Sequence, residues 1–277
     1  MTICSKINDK IKSAIIQKEP LSFGKLGGIE ASHIYQYLSR GRPSLVRGST
    51  LFVNAGIYVS NESELKQWCD YYIQAIKSLD YVVEWCPEQG DKAVIKTVWD
   101  GKEIGNDFSD IEPYKHAEQG WHYALSNKTL LCVSPFSDTI KQQIPYYGKI
   151  WKGASIGDVV TVRSPYSEAL TDEKPIPWLD KYNKMTDEIA KLDFDFASVG
   201  CGGFSLLICD FIKQQMGKPC VHLGGSNQLL FGIQGGRFDW HGAPGGKAYG
   251  YGEEYWTRPL DHEIPIKYKL VEGGCYW

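Results

Sequence analysis

Two glycine turns between residues 196 and 225 carry the residues best suited to bind a ligand. The apolar run Phe196–Val199 ends at the first turn, a helix-spaced apolar segment follows, and residues 220–223 lead into the second turn. In such a βαβ unit both turns lie at the carboxyl edge of a parallel sheet, where open α/β folds bind ligands. Glycine lets the backbone approach a ligand, and helix amides can face an anion. We therefore predict that a phosphate- or nucleotide-bearing ligand is contacted by Gly202, Gly203, Gly224 and Gly225.

The glycine spacing departs from the GxGxxG dinucleotide fingerprint, so tight turns without a ligand are the alternative. Polar side chains follow the second turn: the hydroxyl and amide groups of Ser226, Asn227 and Gln228 suit the edge of a nucleobase or a ribose. A polar helix start is the alternative for these three residues. Ser134 ends another apolar strand and is expected at the same edge of the sheet. His222 lies within an apolar run and is interpreted as a core histidine.

Composition limits the class of protein. Charged residues make up 23% of the 277 residues and the net charge is −3, so neither nucleic acid nor a membrane surface is an expected partner. The start of the chain has the pattern of an amphipathic helix and not of a signal peptide, and no apolar run is long enough to span a bilayer. The eight cysteines include no CxxC pair, which argues against zinc and favours the reducing cytoplasm. Cys201 lacks a recognisable histidine partner and is not assigned as a nucleophile.

Alternation of strand-like and helix-like segments predicts an α/β fold with a mainly parallel central sheet. We expect a single Rossmann-like domain over residues 1–277, with an N-terminal helix at 1–19 and strands near 21–24, 80–85, 129–134, 158–162, 196–199 and 220–223. Residues 45–53 also have a strand-like pattern. Residues 232–277 are rich in glycine and aromatic residues without periodicity, which predicts an irregular C-terminal tail or lid packing on the domain. Aromatic residues there, such as Trp240, Tyr249, Tyr251 and Trp277, suit either sugar binding or a core that holds the tail.

Residues 22–30, with the sequence SFGKLGGIE, resemble the opening motif of the GT-D-type glycosyltransferases. In that family a serine and aromatic strand leads into Arg-x-Gly-Asp-Gly-Glu. The order of the later elements is similar over roughly residues 20–232. The segments HLGGSNQLLFGIQGGRFDW and VEGGCYW look like proteins of unassigned role that accompany polysaccharide synthesis in bacteria and large viruses. The resemblance implies a cytoplasmic enzyme that transfers a sugar from a nucleoside-diphosphate sugar to a glycan acceptor, for surface polysaccharide or glycoprotein glycans.

The same resemblance implies roles for the residues of the motif. Lys25 stands at the family's Arg position, and Lys25, Gly27 and Gly28 are expected to contact the donor. Glu30 matches the family's Glu, which implies a base for the acceptor hydroxyl or a group that orients the donor sugar; a helix-start acid is the alternative. Gly28 replaces the family's Asp, and one carboxylate is a weak site for Mn²⁺ or Mg²⁺, so no metal ligands are assigned.

Other charged residues and other functions are also compatible with the sequence. Asp91 and Glu88 follow a strand and are further candidates for the base, with a solvated loop acid as the alternative. Arg47, Arg237 and Arg258 could contact phosphate, although most arginines are solvated. A catalytically silent sugar- or nucleotide-binding module is the main competing function. An oxidoreductase or methyltransferase is disfavoured because the GxGxxG pattern and a ribose-binding acid are missing. A homodimer is compatible with the sequence.

Overall fold

A parallel sheet of seven strands runs through the described part of the chain, in the order β3-β2-β1-β7-β6-β4-β5. The structure is a computed structural model that describes residues 3–45, 48–101, 103–105, 108–237 and 253–277. The strands are β1 Ser22–Lys25, β2 Tyr81–Val83, β3 Glu103–Gly105, β4 Thr129–Ser134, β5 Asp158–Arg163, β6 Phe196–Val199 and β7 Cys220–His222. The prediction of an α/β fold with a parallel, Rossmann-like sheet is thereby confirmed.

Helices cover both faces of the sheet. They are α1 Ile3–Gln17, α2 Gly28–Arg40, α3 Gly48–Ala55, α4 Glu62–Ser78, α5 Asp91–Val98, α6 Ser137–Gln143, α7 Tyr147–Ile150, α8 Trp178–Ile189 and α9 Ser205–Met216. Successive side chains of a strand point to opposite faces. Accordingly, Leu131 and Val133 of β4 pack with α2, α4 and α9, whereas Leu130 and Cys132 pack with α1 and α7. The buried apolar area on both faces is what holds the sheet between its helices.

The order of the strands determines where a ligand can enter. From β1 the chain passes to β2 and β3 on one side, while β7 pairs with β1 on the other side. From β4 it passes to β5, while β6 pairs with the opposite edge of β4. Loops that leave the carboxyl ends in opposite directions open a crevice between them. The carboxyl ends of β1, β4, β6 and β7 therefore surround one crevice.

Several local predictions need correction. Residues 48–55 form helix α3 and not the strand expected over 45–53. Leu51 and Ala55 face the core four residues apart, which is a helical spacing, but so short an apolar run does not distinguish a helix from a strand.

The tail prediction for residues 232–277 falls partly on residues 238–252, which lie outside the described residues, as do Trp240, Tyr249 and Tyr251. The described part from residue 253 onward contains short 3-10 helices. Within the described ranges, no helix combines the length and apolarity that a bilayer span requires.

Candidate functional site

A cavity of about 230 Å³ lies at the carboxyl edge of the sheet. Its walls come from the segments that follow β1, β2, β4, β5, β6 and β7 and from the last residues of the chain. Ten of the predicted site residues line it together, the proposed base Glu30 and nine donor-binding residues: Lys25, Gly27, Gly28, Ser134, Gly202, Gly224, Gly225, Asn227 and Gln228. The parallel sheet brings them together because its strands all end at this edge.

The turn from β1 to α2 places a carboxylate beside the backbone of Gly27. Gly27 precedes the first turn of α2 in extended conformation, and Glu30 lies in that turn. A Cβ at position 27 would overlap the Glu30 carboxylate where it now lies, so a side chain there would displace the carboxylate. Glu30 is 7% exposed, and burial raises the pKa of its carboxyl, while its own backbone N–H and the nearby Lys25 lower it. Glu30 is therefore both an acid in the first turn of a helix and a residue that lines the cavity.

Lys25 supplies the positive charge of the same turn. Its side chain is 8% exposed, and Nζ lies 4.4 Å from the centroid of the Trp85 ring. Burial lowers the pKa of Lys25, and the charge of Glu30 opposes that shift. A cation on an indole face with little water around it interacts strongly with any anion that enters. The β1–α2 turn thus presents one buried cation and one buried carboxyl group to the same cavity.

Gly28 occupies the position at which the family motif has its aspartate, and the space beside it is filled. A Cβ at position 28 would overlap the amide oxygen of Gln89, which lies in the 3-10 helix Pro87–Gln89. Gln89 also lines the cavity. An amide therefore stands where the family's second carboxylate would project, and an amide is neutral. The residues at this turn do not fit a divalent metal held as the family holds it.

The turn after β7 is held by amide groups that bond the backbone. Asn227 Nδ2 donates to Val133 O at 3.2 Å and to Cys132 Sγ at 3.3 Å. Gln228 Nε2 donates to Ile233 O and to Tyr276 O, both at 3.2 Å. Both side chains are nearly fully buried. These bonds attach the β7 turn to β4 on one side and to the C-terminal residues on the other.

Residues near the C-terminus supply another wall, in which Arg237 and Trp277 were candidates from the sequence and Glu272 and Tyr276 were not. The guanidinium of Arg237 lies 4.8 Å from the Tyr276 ring and donates to the Glu272 carboxylate. Trp277 Nε1 donates to Glu263 O at 3.0 Å, which fixes the indole. Arg237, Glu272, Tyr276 and Trp277 all line the cavity. No pattern within a short segment indicates that residues 272–277 line the same cavity as residue 30; the glycines around them were the available signal.

Other predicted residues lie elsewhere. Asp91 is not a solvated loop acid: it begins α5, is fully buried, and its Oδ2 accepts from the N–H groups of Trp85 and Cys86 at 2.7 Å. Gly203 packs on Ile57 and does not line the cavity. Ser226 Oγ donates to a Glu112 oxygen at 2.6 Å, also outside the cavity lining.

The remaining candidates also divide into residues that line the cavity and residues that do not. Glu88 and Arg258 are not among the lining residues, and Arg47 lies outside the described residues. Cys201 does line the cavity, but burial raises the pKa of its thiol to about 12, which keeps it neutral. His222, interpreted from sequence as a core residue, is buried and also lines the cavity.

A cluster of possible metal ligands lies apart from the cavity. Ligand atoms of Asp138, His262 and Glu263 lie within 4.8 Å of one another, and none of the three lines the cavity. The Glu263 carboxylate already accepts from the backbone N–H groups of Asp138 and Thr139 at the start of α6. These bonds identify Glu263 as a capping group for that helix.

No protein-family model, curated protein or solved structure matches this chain. The cavity and its chemistry are therefore the basis for any statement of function. The similarity of residues 22–30 to the GT-D motif stays a prediction from the motif alone.

Proposed function

We propose that the protein is a glycosyltransferase that moves a sugar from a nucleoside-diphosphate sugar to a glycan acceptor. The observation that carries this proposal is that Lys25 and Glu30, on either side of one glycine turn, both face the cavity at the carboxyl edge. A transferase of this kind needs a cation near the donor diphosphate and a carboxylate near the reacting sugar. One turn supplies both, on side chains that are themselves buried.

The diphosphate is assigned to the cationic side of the cavity. Lys25 Nζ and the Arg237 guanidinium provide charge there, and Arg237 has donors to spare because a guanidinium carries five N–H groups and Glu272 cannot use them all. Charge-assisted bonds to phosphate are roughly twice as strong as neutral ones. In this proposal these side chains take the role of a metal ion, because Gly28 offers no carboxylate ligand.

Aromatic rings provide surfaces on which a sugar can stack. Trp85, Tyr166, Tyr276 and Trp277 line the cavity. The backbone carbonyl of Glu263 accepts hydrogen bonds from both the Tyr166 hydroxyl and the Trp277 indole N–H, so one acceptor fixes both rings. Rigid rings lose little conformational entropy on binding, which suits them to a flat, polar ligand.

In the proposed reaction, Glu30 accepts the proton of the acceptor hydroxyl as its oxygen attacks the anomeric carbon. The bond between that carbon and the diphosphate oxygen breaks, and the electron pair leaves with the nucleoside diphosphate. Lys25 and Arg237 stabilise the charge that develops on the leaving group. The raised pKa of buried Glu30 makes it a stronger base than an exposed carboxylate.

A binding module without catalysis is the second candidate. It is favoured by the Gln89 amide beside Gly28, since the family's second carboxylate is missing and its space is filled. Such a module would bind the same donor in the same cavity, and only turnover separates the two functions.

The test is release of nucleoside diphosphate from a panel of UDP-, GDP- and dTDP-sugars, with and without an oligosaccharide acceptor and with and without EDTA. We expect release from at least one donor, and Glu30→Gln to lower the rate about 10²–10⁴-fold while donor affinity is kept. Glu62→Gln is the matched control, because Glu62 is an exposed carboxylate in the first turn of α4.

Each outcome has a distinct meaning. Donor binding without release by the wild type identifies the silent module. Complete loss of activity in EDTA, restored by Mn²⁺ or Mg²⁺, contradicts the assignment of the metal's role to Lys25 and Arg237. Binding of no nucleoside diphosphate or nucleotide sugar overturns the donor site itself.

A further inference from the structure

Glu272 places a carboxylate against the guanidinium that the proposed function assigns to phosphate. Its Oε2 accepts a hydrogen bond from Nη2 of Arg237, and both side chains line the cavity. The Glu272 side chain is 51% exposed and that of Arg237 is 24% exposed, so solvent reaches the pair. An ion pair in contact with water contributes little to the stability of a fold. The effect of this carboxylate is therefore to be sought in the cavity.

Other groups hold the Arg237 side chain in place besides this carboxylate. The central carbon of the guanidinium lies 4.8 Å from the centroid of the Tyr276 ring, and Nη2 also donates to Cys275 Sγ at 3.4 Å. The backbone N–H of Arg237 donates to Cys275 O at 2.9 Å. Loss of the Glu272 charge would leave these contacts in place. What the carboxylate adds to them is a negative charge beside the cation.

The backbone at Glu272 has a conformation that glutamate rarely adopts. Its φ is 46°, and Gly273 and Gly274 follow with φ values of 72° and 92°. A glutamate in the left-handed region costs free energy that glycine, and to a large extent asparagine, avoids. Residues strained in this way cluster at ligand sites, and Glu272 lines the cavity. The strain indicates that the side chain at this position has a use that glycine would not serve.

The charge of Glu272 acts on the other charged groups of the cavity. Among the described residues that line it, Lys25 and Arg237 are cationic, and Glu30 and Glu272 carry carboxyl groups. Burial is the largest cause of the raised pKa of Glu30, and the charge of Glu272 adds to that shift. Burial likewise lowers the pKa of Lys25, and the charge of Arg237 adds to that shift. An anion that enters the cavity therefore meets the charge of Glu272 as well as the two cations.

We propose that Glu272 is a specificity-determining residue that lowers the affinity for the nucleoside diphosphate product relative to the nucleotide-sugar donor, and so favours product release. This inference rests on the proposed function. In the donor the terminal phosphate is esterified to the sugar. When that bond breaks, the phosphate oxygen keeps the electron pair, and the product carries about one more negative charge than the donor near pH 7. Repulsion from a carboxylate beside the phosphate increases with that charge.

Three substitutions at position 272 separate charge from shape. Glu272→Gln keeps the length and removes the charge, Glu272→Asp keeps the charge, and Glu272→Asn removes the charge and suits the left-handed backbone. Thermal unfolding first shows that each variant is folded. Calorimetry then measures dissociation constants for UDP, UDP-glucose, GDP and GDP-mannose at pH 7.5. Glu62→Gln is the matched control, because Glu62 is an exposed carboxylate that does not line the cavity.

The expected result concerns the ratio of two dissociation constants, that of the diphosphate and that of its nucleotide sugar. For the nucleotide that the wild type binds, Glu272→Gln and Glu272→Asn should bind the diphosphate about tenfold more tightly. They should bind the nucleotide sugar at most about threefold more tightly, because it carries less charge. Glu272→Asp should retain most of the wild-type ratio, and Glu62→Gln should retain all of it.

Two results overturn the inference. If the neutral variants bind nucleotides with the wild-type ratio, the charge of Glu272 does not discriminate between donor and product. If they bind both ligands more weakly, Glu272 is a positioning residue that orients Arg237. Either result leaves the donor site intact, because nucleotides still bind. Absence of binding by all four nucleotides, in the wild type as well as the variants, overturns the proposed function and, with it, the role of Glu272.

Discussion

His122 makes the stability of this protein depend on pH between neutrality and pH 5. The ring is 1% exposed, and within the described residues neither nitrogen has a hydrogen-bond partner. It packs against Tyr123 and Trp151, with ring centroids 4.6 and 5.3 Å away. Burial, and to a smaller extent the charges of His116 and Lys12, lower the pKa of His122 from 6.5 to about 3. The folded protein therefore keeps this ring neutral at a pH at which the unfolded chain protonates it.

The magnitude follows from the two pKa values. Because the folded-state pKa is the lower one, the full stability is present above pH 6.5 and is lost as the pH falls toward 3. Between pH 7.5 and pH 5.0 the unfolded histidine gains nearly a full proton and the folded one gains almost none. The free energy of unfolding should therefore fall by about 2 kcal/mol over this interval from His122 alone.

Urea unfolding at the two pH values measures this effect in the wild type and in His122→Phe. Other titrating groups contribute equally to both proteins, so the difference between their pH dependences isolates the histidine. We expect the wild type to lose about 2 kcal/mol more than the variant on acidification. Tyr147→Phe is the control, because it alters packing in the same cluster, at a hydroxyl 3.4 Å from His122 O, without removing a group that titrates in this range. Equal pH dependence in the wild type and His122→Phe would refute the reasoning.

Three further outcomes are expected. A nucleoside diphosphate at a hundredfold excess over its dissociation constant should stabilise the native state by about 2.7 kcal/mol, and an unchanged melting temperature would contradict this. The decrease of kcat/KM at acid pH should have an apparent pKa above 4.5, because burial raises the pKa of Glu30 and protonation removes the base. An apparent pKa below 4.5 would assign the base to another residue. Lys181→Met should destabilise the protein by about 3–5 kcal/mol, because it leaves the Glu168 carboxylate, 2.9 Å from Nζ and 4% exposed, buried without its cation. In urea unfolding, Lys181→Met combined with Glu168→Leu should recover most of that loss; a single variant as stable as wild type would show that the pair contributes little.

The sequence by itself determined the architecture and one turn of the site. Apolar runs that end at glycines predicted the parallel strands, because a strand buried on both faces needs continuous apolar residues and a turn needs backbone freedom. Lys25 and Glu30 were found because both belong to one short segment between a strand and a helix. Two segments were exceptions. The strand predicted at 45–53 is helix α3, whose eight residues are too few for the helical period to be distinguished from a strand, and the edge strand β3 at Glu103–Gly105 was not predicted.

Only the tertiary structure decided which distant groups complete the site. His222 and the Lys25 carbonyl are 197 residues apart in the chain, and their hydrogen bond exists because β1 and β7 are adjacent in the sheet. Asp91 was expected beside the cavity. Its carboxylate instead accepts hydrogen bonds from the backbone N–H groups of residues 85 and 86. The backbone oxygen of Tyr276 accepts a hydrogen bond from Gln228 Nε2, which holds the C-terminal residues beside the β7 turn. Local patterns report the conformation of a few neighbouring residues, whereas these contacts depend on the order of strands and on the path of the last residues, which no short segment encodes.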